Sequence, residues 1–241
     1  MVTVPTNATF EAVQALQRAP NVGKIKEVLR RVASDRGYDS FHCSAPPPVG
    51  SDLTAESVLF EEWPEEWKRR YTDERLHTVD PVVVQLQCSA DPFLWSIVRT
   101  TRLTRAERRV MDDAASYGLR EGFIVPIFGV GGRVYGACFA GLQPRCDSIA
   151  LAEIHLVSMY AYARAKQLRR RGPEPTIAIT LREREAIQWA AAGKTDWEIG
   201  ELVGISESAA HKRIESVKKK YGVATRMQAV VEALRQGHIH L

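Results

Sequence analysis

Thr180-Leu181-Arg182-Glu183, Thr195-Asp196-Trp197-Glu198 and Thr225-Arg226-Met227-Gln228 repeat one local pattern within the C-terminal tail of the chain. In each, a threonine hydroxyl can accept from an orphan N–H at a helix start while the acid or amide three residues on reaches back. The tail therefore reads as a set of four short helices. The first runs from about Leu181 to Ala192 and stops at Gly193, a residue that tolerates the left-handed geometry of a helix exit. The second runs from about Asp196 to Val203, with Trp197, Ile199, Leu202 and Val203 as its apolar positions. Gly204-Ile205-Ser206 then turns the chain into a third helix, about Glu207 to Tyr221.

That third helix carries Ala210, Ile214, Val217 and Tyr221 on one stripe, which must pack inward. Its other face is polar, with Ser208, His211, Lys212, Glu215, Lys218 and Lys219. Two short helices joined by a tight glycine turn, the second with a cationic outer face, can present a helix to the major groove of DNA. The same pattern also fits a small helical bundle whose charged face is only solvated. The helix pattern by itself leaves both open.

Working outward, a basic run of Arg164, Lys166, Arg169, Arg170 and Arg171 precedes Gly172-Pro173-Glu174-Pro175, whose prolines forbid continued helix. This divides the chain into a large domain over 1–168, a linker over 169–175 and a small domain over 176–241. A length of 241 residues gives each part enough chain for its own core, and a net charge of +4 is compatible with DNA binding without demanding it. Cys43, Cys88, Cys138 and Cys146 show no CxxC spacing, so neither a zinc site nor a disulfide framework is expected; they read as buried small apolar groups. There is no bilayer-length apolar run and no signal-peptide core, which points to the cytoplasm. Walker, HExxH and GxSxG motifs are missing, and His77, His155, His211, His238 and His240 are dispersed, so an enzyme is not expected. Nor does the first half alternate strands and helices as a phosphate-accepting receiver domain would.

In the large domain the periodicities predict helices near Thr9–Arg18, Val22–Arg36, Glu65–Tyr71, Pro81–Leu86, Arg105–Tyr117 and Asp147–Gln167. Strands are predicted near Tyr38–Ser44, Glu56–Phe60, Phe93–Trp95, Gly122–Phe128 and Arg133–Gly141, with Gly129–Gly132 as a hairpin turn. This order predicts an α+β fold: an α/β/α sandwich around an antiparallel sheet, followed by a small all-α helix-turn-helix domain of four helices. The long helix at Asp147–Gln167 sets Ile149, Ala152, Leu156, Tyr160 and Ala163 on a stripe that packs on its own sheet or against a second copy of itself. Asp80 stands out in Val79-Asp80-Pro81-Val82-Val83-Val84. It can cap the helix that begins at Pro81, accept from a ligand N–H, or do both. Trp63, Trp67 and Tyr71 can line one wall, which is the pattern of a core but also of a site whose polar tips a ligand would satisfy.

The tail, from Thr180-Leu181-Arg182-Glu183 through Glu198-Ile199-Gly200 and Ile205-Ser206-Glu207 to Tyr221-Gly222-Val223, closely resembles the helix-turn-helix of LuxR-type transcription regulators. By that resemblance the family's acidic, aliphatic and glycine hallmarks fall on Glu183, Ile187 and Gly193, positions whose chemistry is structural. The resemblance also implies a DNA-facing set of Ser206, Ser208, His211, Lys212, Arg213, Glu215, Lys218 and Lys219. The chain departs at Ala209-Ala210, where Thr-Val is usual, and at Arg213, where histidine is common.

Trp67-Lys68-Arg69-Arg70-Tyr71, Asp80-Pro81, Phe93-Leu94-Trp95-Ser96 and Glu121-Gly122-Phe123-Ile124-Val125-Pro126 are similar in type and spacing to the autoinducer-binding domain of the same family. The implied ligand is an N-acyl homoserine lactone, with no cofactor or metal. Trp67 would donate to the lactone carbonyl, Asp80 would accept the amide N–H, and Tyr71 and Trp95 would enclose ring and chain. Trp63, Val82, Leu119, Ile124, Ala137 and Phe139 would complete the wall. Trp63 replaces a usual tyrosine, Phe139 stands where a small hydroxyl residue is common, and His42 and Ser44 stand where relatives are apolar or glycine. Phe139 is therefore expected to shorten the cavity, and His42 and Ser44 either to meet a polar or aromatic acyl tail or to be ordinary core residues. The family further implies a homodimer on palindromic double-stranded promoter DNA, with RNA polymerase as a possible contact and no membrane association. A solitary regulator that answers a different ligand, or none, is the second reading.

Overall fold

The computed structural model describes residues 7–47, 51–54, 57–129, 132–169 and 177–240. The chain divides into two compact units, the first ending at Arg171 and the second continuing from Gly172. Residues 170–175 of the expected linker, Glu56 of the second expected strand, and Val130 and Gly131 of the expected hairpin turn lie outside the described residues.

In the first unit, helices α1 (Asn7–Gln17) and α2 (Val22–Ser34) lead into strands β1 (Ser40–Ser44) and β2 (Val58–Glu62). Helix α3 (Glu65–Asp73), a 3-10 turn (Leu76–Thr78) and helix α4 (Pro81–Cys88) follow, then β3 (Phe93–Leu94), α5 (Trp95–Arg99) and α6 (Arg105–Ser116). Strands β4 (Glu121–Phe128) and β5 (Val134–Gly141) form a hairpin, and the long helix α7 (Ser148–Arg169) closes the unit. The five strands make one antiparallel sheet in the order β2-β1-β5-β4-β3. The hairpin pairs Phe128 with Val134, and the Gly129 N–H donates to the Arg133 carbonyl at 2.8 Å.

Each face of the sheet carries a separate core. Tyr135, Ala137 and Phe139 of β5 pack with Phe41 and Cys43 of β1 against α1, α2 and α7. Cys138 and Ala140, pointing the other way as strand alternation requires, pack with α3 to α6. On the first face a buried ion pair ties the layer together: the Arg36 guanidinium meets Glu153 at 2.5 Å, and the Thr9 hydroxyl donates to the same carboxylate at 2.7 Å. Such a pair strongly penalises loss of either partner, because the other is left charged and buried.

Three expectations for this unit need correcting. Trp95 does not extend the third strand but begins α5, because the Glu121 carboxylate accepts the Ser96 N–H at 3.1 Å and turns the chain there. The residues of α7 that face the sheet are Ala150, Ile154, Val157, Ala161 and Ala165, not the stripe of Ile149, Ala152, Leu156, Tyr160 and Ala163, which is partly or wholly exposed. Of the cysteines, Cys43 and Cys138 are buried, but Cys88 is exposed and Cys146 half-buried.

The second unit comprises α8 (Leu181–Ala191), α9 (Asp196–Val203), α10 (Glu207–Tyr221) and α11 (Arg226–Arg235). Thr180, Thr195 and Thr225 each form the reciprocal cap read from the sequence, with Glu183, Glu198 and Gln228. Gly193, Gly204 and Gly222 sit at positive φ where three of the helices exit. Ile187, Ile199, Ala210, Ile214, Val217 and Ala233 fill the core. Trp197, 60% exposed, and Leu202 are not core residues: on a helix as short as α9 only Ile199 and Gly200 are buried.

Candidate functional site

On the α3–α6 side of the sheet the first unit encloses a chamber holding about 720 Å³ of space free of atoms, counting the part that opens to solvent. Trp63, Trp67 and Tyr71 form one aromatic wall, with ring centroids 5.2 Å apart for Trp63 and Tyr71 and 5.5 Å for Trp67 and Tyr71. Trp67 and Tyr71 are brought together by their spacing along α3, while Trp63 joins from the turn before it.

Asp80 faces this wall. One carboxylate oxygen accepts the Val82 N–H at 2.8 Å, capping α4, and the other accepts the Tyr71 hydroxyl at 2.7 Å. The two readings of Asp80 are thus compatible, because each carboxylate oxygen keeps a further lone pair for a guest. Burial pushes the Asp80 pKa up, opposed by the hydrogen bonds from Tyr71, Val82 and Val83. Burial likewise raises the Tyr71 phenol, with the Asp80 charge adding to the effect. Such a phenol stays protonated and remains a donor.

Trp95, Val82 and Ile124 also line the chamber. The Trp95 indole lies against Gly122, where an added Cβ would come within 2.5 Å of the ring, and its buried Nε1 has no hydrogen-bond partner among the described residues. His42 and Ser44, alternate residues of β1, both face the chamber. The His42 ring lies 4.4 Å from that of Trp63, tilted by 31°, and burial pushes its pKa down to about 4, so the imidazole is neutral.

Leu119 is buried in the adjoining core without lining the chamber. Ala137 and Phe139 are corrections: both sit on the opposite face of the sheet, Phe139 fully buried between Tyr38 and Phe41. The chamber-facing residues of β5 are Gly136 and Cys138, so Phe139 cannot shorten the cavity. Reading the strand one residue out of phase reversed every side chain. Sequence reasoning also passed over Val110, Met111 and Ala114, which form the inner face of α6, and their helical spacing could have shown it. His77, which lines the chamber from the 3-10 turn, has no local pattern that announces it.

In the second unit, α10 displays Ser208, His211, Lys212, Glu215 and Lys219 as exposed residues, and Ser206 caps its start through the Ala209 N–H at 3.2 Å. Several of the expected DNA-facing groups are held by protein partners. His211 Nδ1 lies 2.8 Å from the Asp196 carboxylate and Lys218 pairs with Glu215 at 2.6 Å. Arg213 is half-buried against α8, 3.8 Å from Glu185, because it falls beside Ile214 on the edge of the inward stripe. Glu183 is structural: it accepts from Ser216 and Lys220, each at 2.6 Å, and from the Thr180 N–H. Although burial works to raise its pKa, these bonds hold it at about 2. Ile187 is fully buried and Gly193 turns the chain at φ 82°. Gly200 lets α9 approach the next turn, since a Cβ there would lie 2.7 Å from the Ile205 carbonyl oxygen.

A guest chamber in one unit and a helix-turn-helix in the other define the class of ligand-binding transcription regulators. The comparisons make the class specific: residues 21–165 match the autoinducer binding domain, and residues 178–233 match the bacterial regulatory proteins of the luxR family. The transcriptional activator BjaR1 of Bradyrhizobium diazoefficiens is 34% identical over 75% of this chain and 75% of its own. The quorum sensing-dependent regulator RpaR of Rhodopseudomonas palustris is 33% identical over 96% of this chain and 95% of its own. Among solved structures, Escherichia coli SdiA shares the fold with a TM-score of 0.72 at 20% identity, covering 97% of this chain and 98% of that one.

The chain belongs to the LuxR family of autoinducer-binding transcription regulators. The family and these relatives are transcription regulators. Among the described residues no group of His, Cys, Asp and Glu is placed to hold a metal ion, and no helix is long and apolar enough to cross a membrane.

Proposed function

We propose that this chain senses an N-acyl homoserine lactone in the chamber of a domain spanning 1–168 and, as a homodimer in the cytoplasm, carries a helix-turn-helix domain over 176–241 to promoter DNA. The observation that carries this reading is Asp80: a carboxylate set in a mostly apolar, aromatic-walled chamber, with lone pairs left beyond its protein hydrogen bonds. An acyl amide offers one N–H donor and two carbonyl acceptors, so it needs one such anchor and a few donors. Asp80 takes the amide N–H, the Trp67 indole donates to the lactone carbonyl, and Tyr71 and Trp95 enclose the guest.

A ligand seated there becomes part of the core of its domain and stabilises the folded form by mass action. Pairing is supported by the partly exposed stripe of α7 and by exposed Met227 and Val231 on α11. Two recognition helices related by a two-fold axis suit palindromic half-sites roughly 34 Å apart. Ser208, His211 and Lys212 then read base edges, while Lys218 and Lys219 meet phosphates, and RNA polymerase is a further contact of the bound dimer.

The test is to express the full chain with and without a panel of acyl homoserine lactones and identify the copurifying small molecule by mass spectrometry. A lactone bound in equimolar amount, lost in Asp80→Asn, is the expected result. Asparagine still caps α4, so a variant that folds and retains the lactone would refute the assignment of Asp80, and a copurifying molecule of another class would refute the lactone.

A further inference from the structure

Among the described residues the chamber contains a buried acceptor that the proposed lactone headgroup leaves unmet. His77, nine-tenths buried, lines the chamber from the 3-10 turn between α3 and α4. Its two ring nitrogens differ in circumstance. Nε2 lies 3.3 Å from the Ser51 carbonyl oxygen, which can only accept, so Nε2 carries the hydrogen. In the neutral ring Nδ1 is then a bare acceptor, and it is buried with no hydrogen-bond partner among the described residues.

Buried polar atoms in folded proteins are nearly always paired, and exceptions mark a place where something else binds. The Tyr71 hydroxyl and the Val82 N–H are already engaged, since both donate to Asp80. A guest can supply what the chain does not. A homoserine lactone ring brings only acceptors, and the one amide N–H goes to Asp80. Any further donor that the guest brings must therefore lie on the acyl group.

We infer that His77 is a specificity-determining residue whose Nδ1 accepts a hydrogen bond from a hydroxyl or N–H on the acyl part of the bound lactone. The favoured signal then carries a second donor beyond its amide. This rests on the lactone reading of the chamber and narrows it to a chemical class of acyl group. Discrimination of this kind is effective because an analogue lacking the donor leaves a buried acceptor unpaired.

The experiment measures binding of matched lactones to the purified full chain by calorimetry. The probes are N-hexanoyl homoserine lactone with its 3-hydroxy and 6-hydroxy derivatives, and the N-(3-phenylpropanoyl) compound with its 4-hydroxyphenyl derivative. At least one hydroxylated member should bind about tenfold more tightly than its parent. His77→Gln places an amide N–H where Nε2 was, keeping the Ser51 contact while withdrawing the acceptor, so that ratio should fall to about one. His77→Asn, which restores an acceptor near the Nδ1 position, should keep a preference and guards against a poorly folded His77→Gln. Equal weakening of both members in His77→Gln, or no hydroxyl preference in any wild-type pair, overturns the role of His77. Wild-type protein that binds none of these lactones would instead refute the lactone reading itself.

Discussion

At the scale of single residues, the positions that sequence placed correctly in the chamber are those whose identity carries local geometry as well as chemistry. Asp80 before Pro81 is a helix start, and Trp67 and Tyr71 four apart share a helical face, so cap and aromatic wall follow from spacing. Phe139 was misread because alternation along a strand reveals two faces without saying which of them looks at the cavity. His77 was illegible, since its importance depends on a bond to Ser51 and on the geometry of a turn. Gly122 offers a clear check on the chamber floor. Gly122→Ala would drive a methyl group into the Trp95 ring, and overpacking of this kind costs about 1–3 kcal/mol. A lowered melting temperature together with a shifted Trp95 fluorescence is the expected outcome; an unchanged spectrum would show that the indole lies elsewhere.

Among secondary-structure elements, the helices of the small unit were legible almost to the residue because each start has its own sealing chemistry. Thr195→Ala should destabilise that unit by about 1 kcal/mol, read from denaturant unfolding, since the orphan Glu198 N–H loses its hydroxyl acceptor. An indifferent response would mean that the cap adds nothing beyond the packing of Ile199. Helix α5 was not legible, for it depends on a carboxylate contributed by Glu121 at the start of β4. On α10, the proposed contact of Lys218 with phosphate predicts that Lys218→Ala weakens binding to all DNA sequences alike and lowers the salt dependence by about one counterion. Fluorescence anisotropy at several salt concentrations measures both, and lost sequence discrimination at unchanged general affinity would contradict the assignment.

For the molecule as a whole, the sandwich-plus-bundle architecture was readable from the change of periodicity; the separation of the first unit into two cores on opposite sides of one sheet was not, because it requires strand register. The two units should respond to acid in different windows. His42 ionises at an ordinary 6.5 when unfolded but near 4 when folded, so the first unit loses stability as pH falls from 6.5 to 4. Glu183 goes from 4.5 to about 2, so its contribution to the second unit persists to pH 4.5 and disappears between there and 2. Acid titration followed by amide exchange in each unit should show the first loosening before the second, and His42→Phe should flatten the earlier transition; the reverse order would contradict these shifts. The alternation of β5 has a wider consequence. Cys138 touches the chamber while Ala137 and Phe139, on either side of it, touch the layer that contains α7. A guest in the chamber would bear on the same strand as the long helix, from the opposite side and without meeting it, and we expect any effect of occupancy on α7 to pass through that strand. Trimming Phe139 should therefore mute the strength of the response while leaving the ranking of ligands intact.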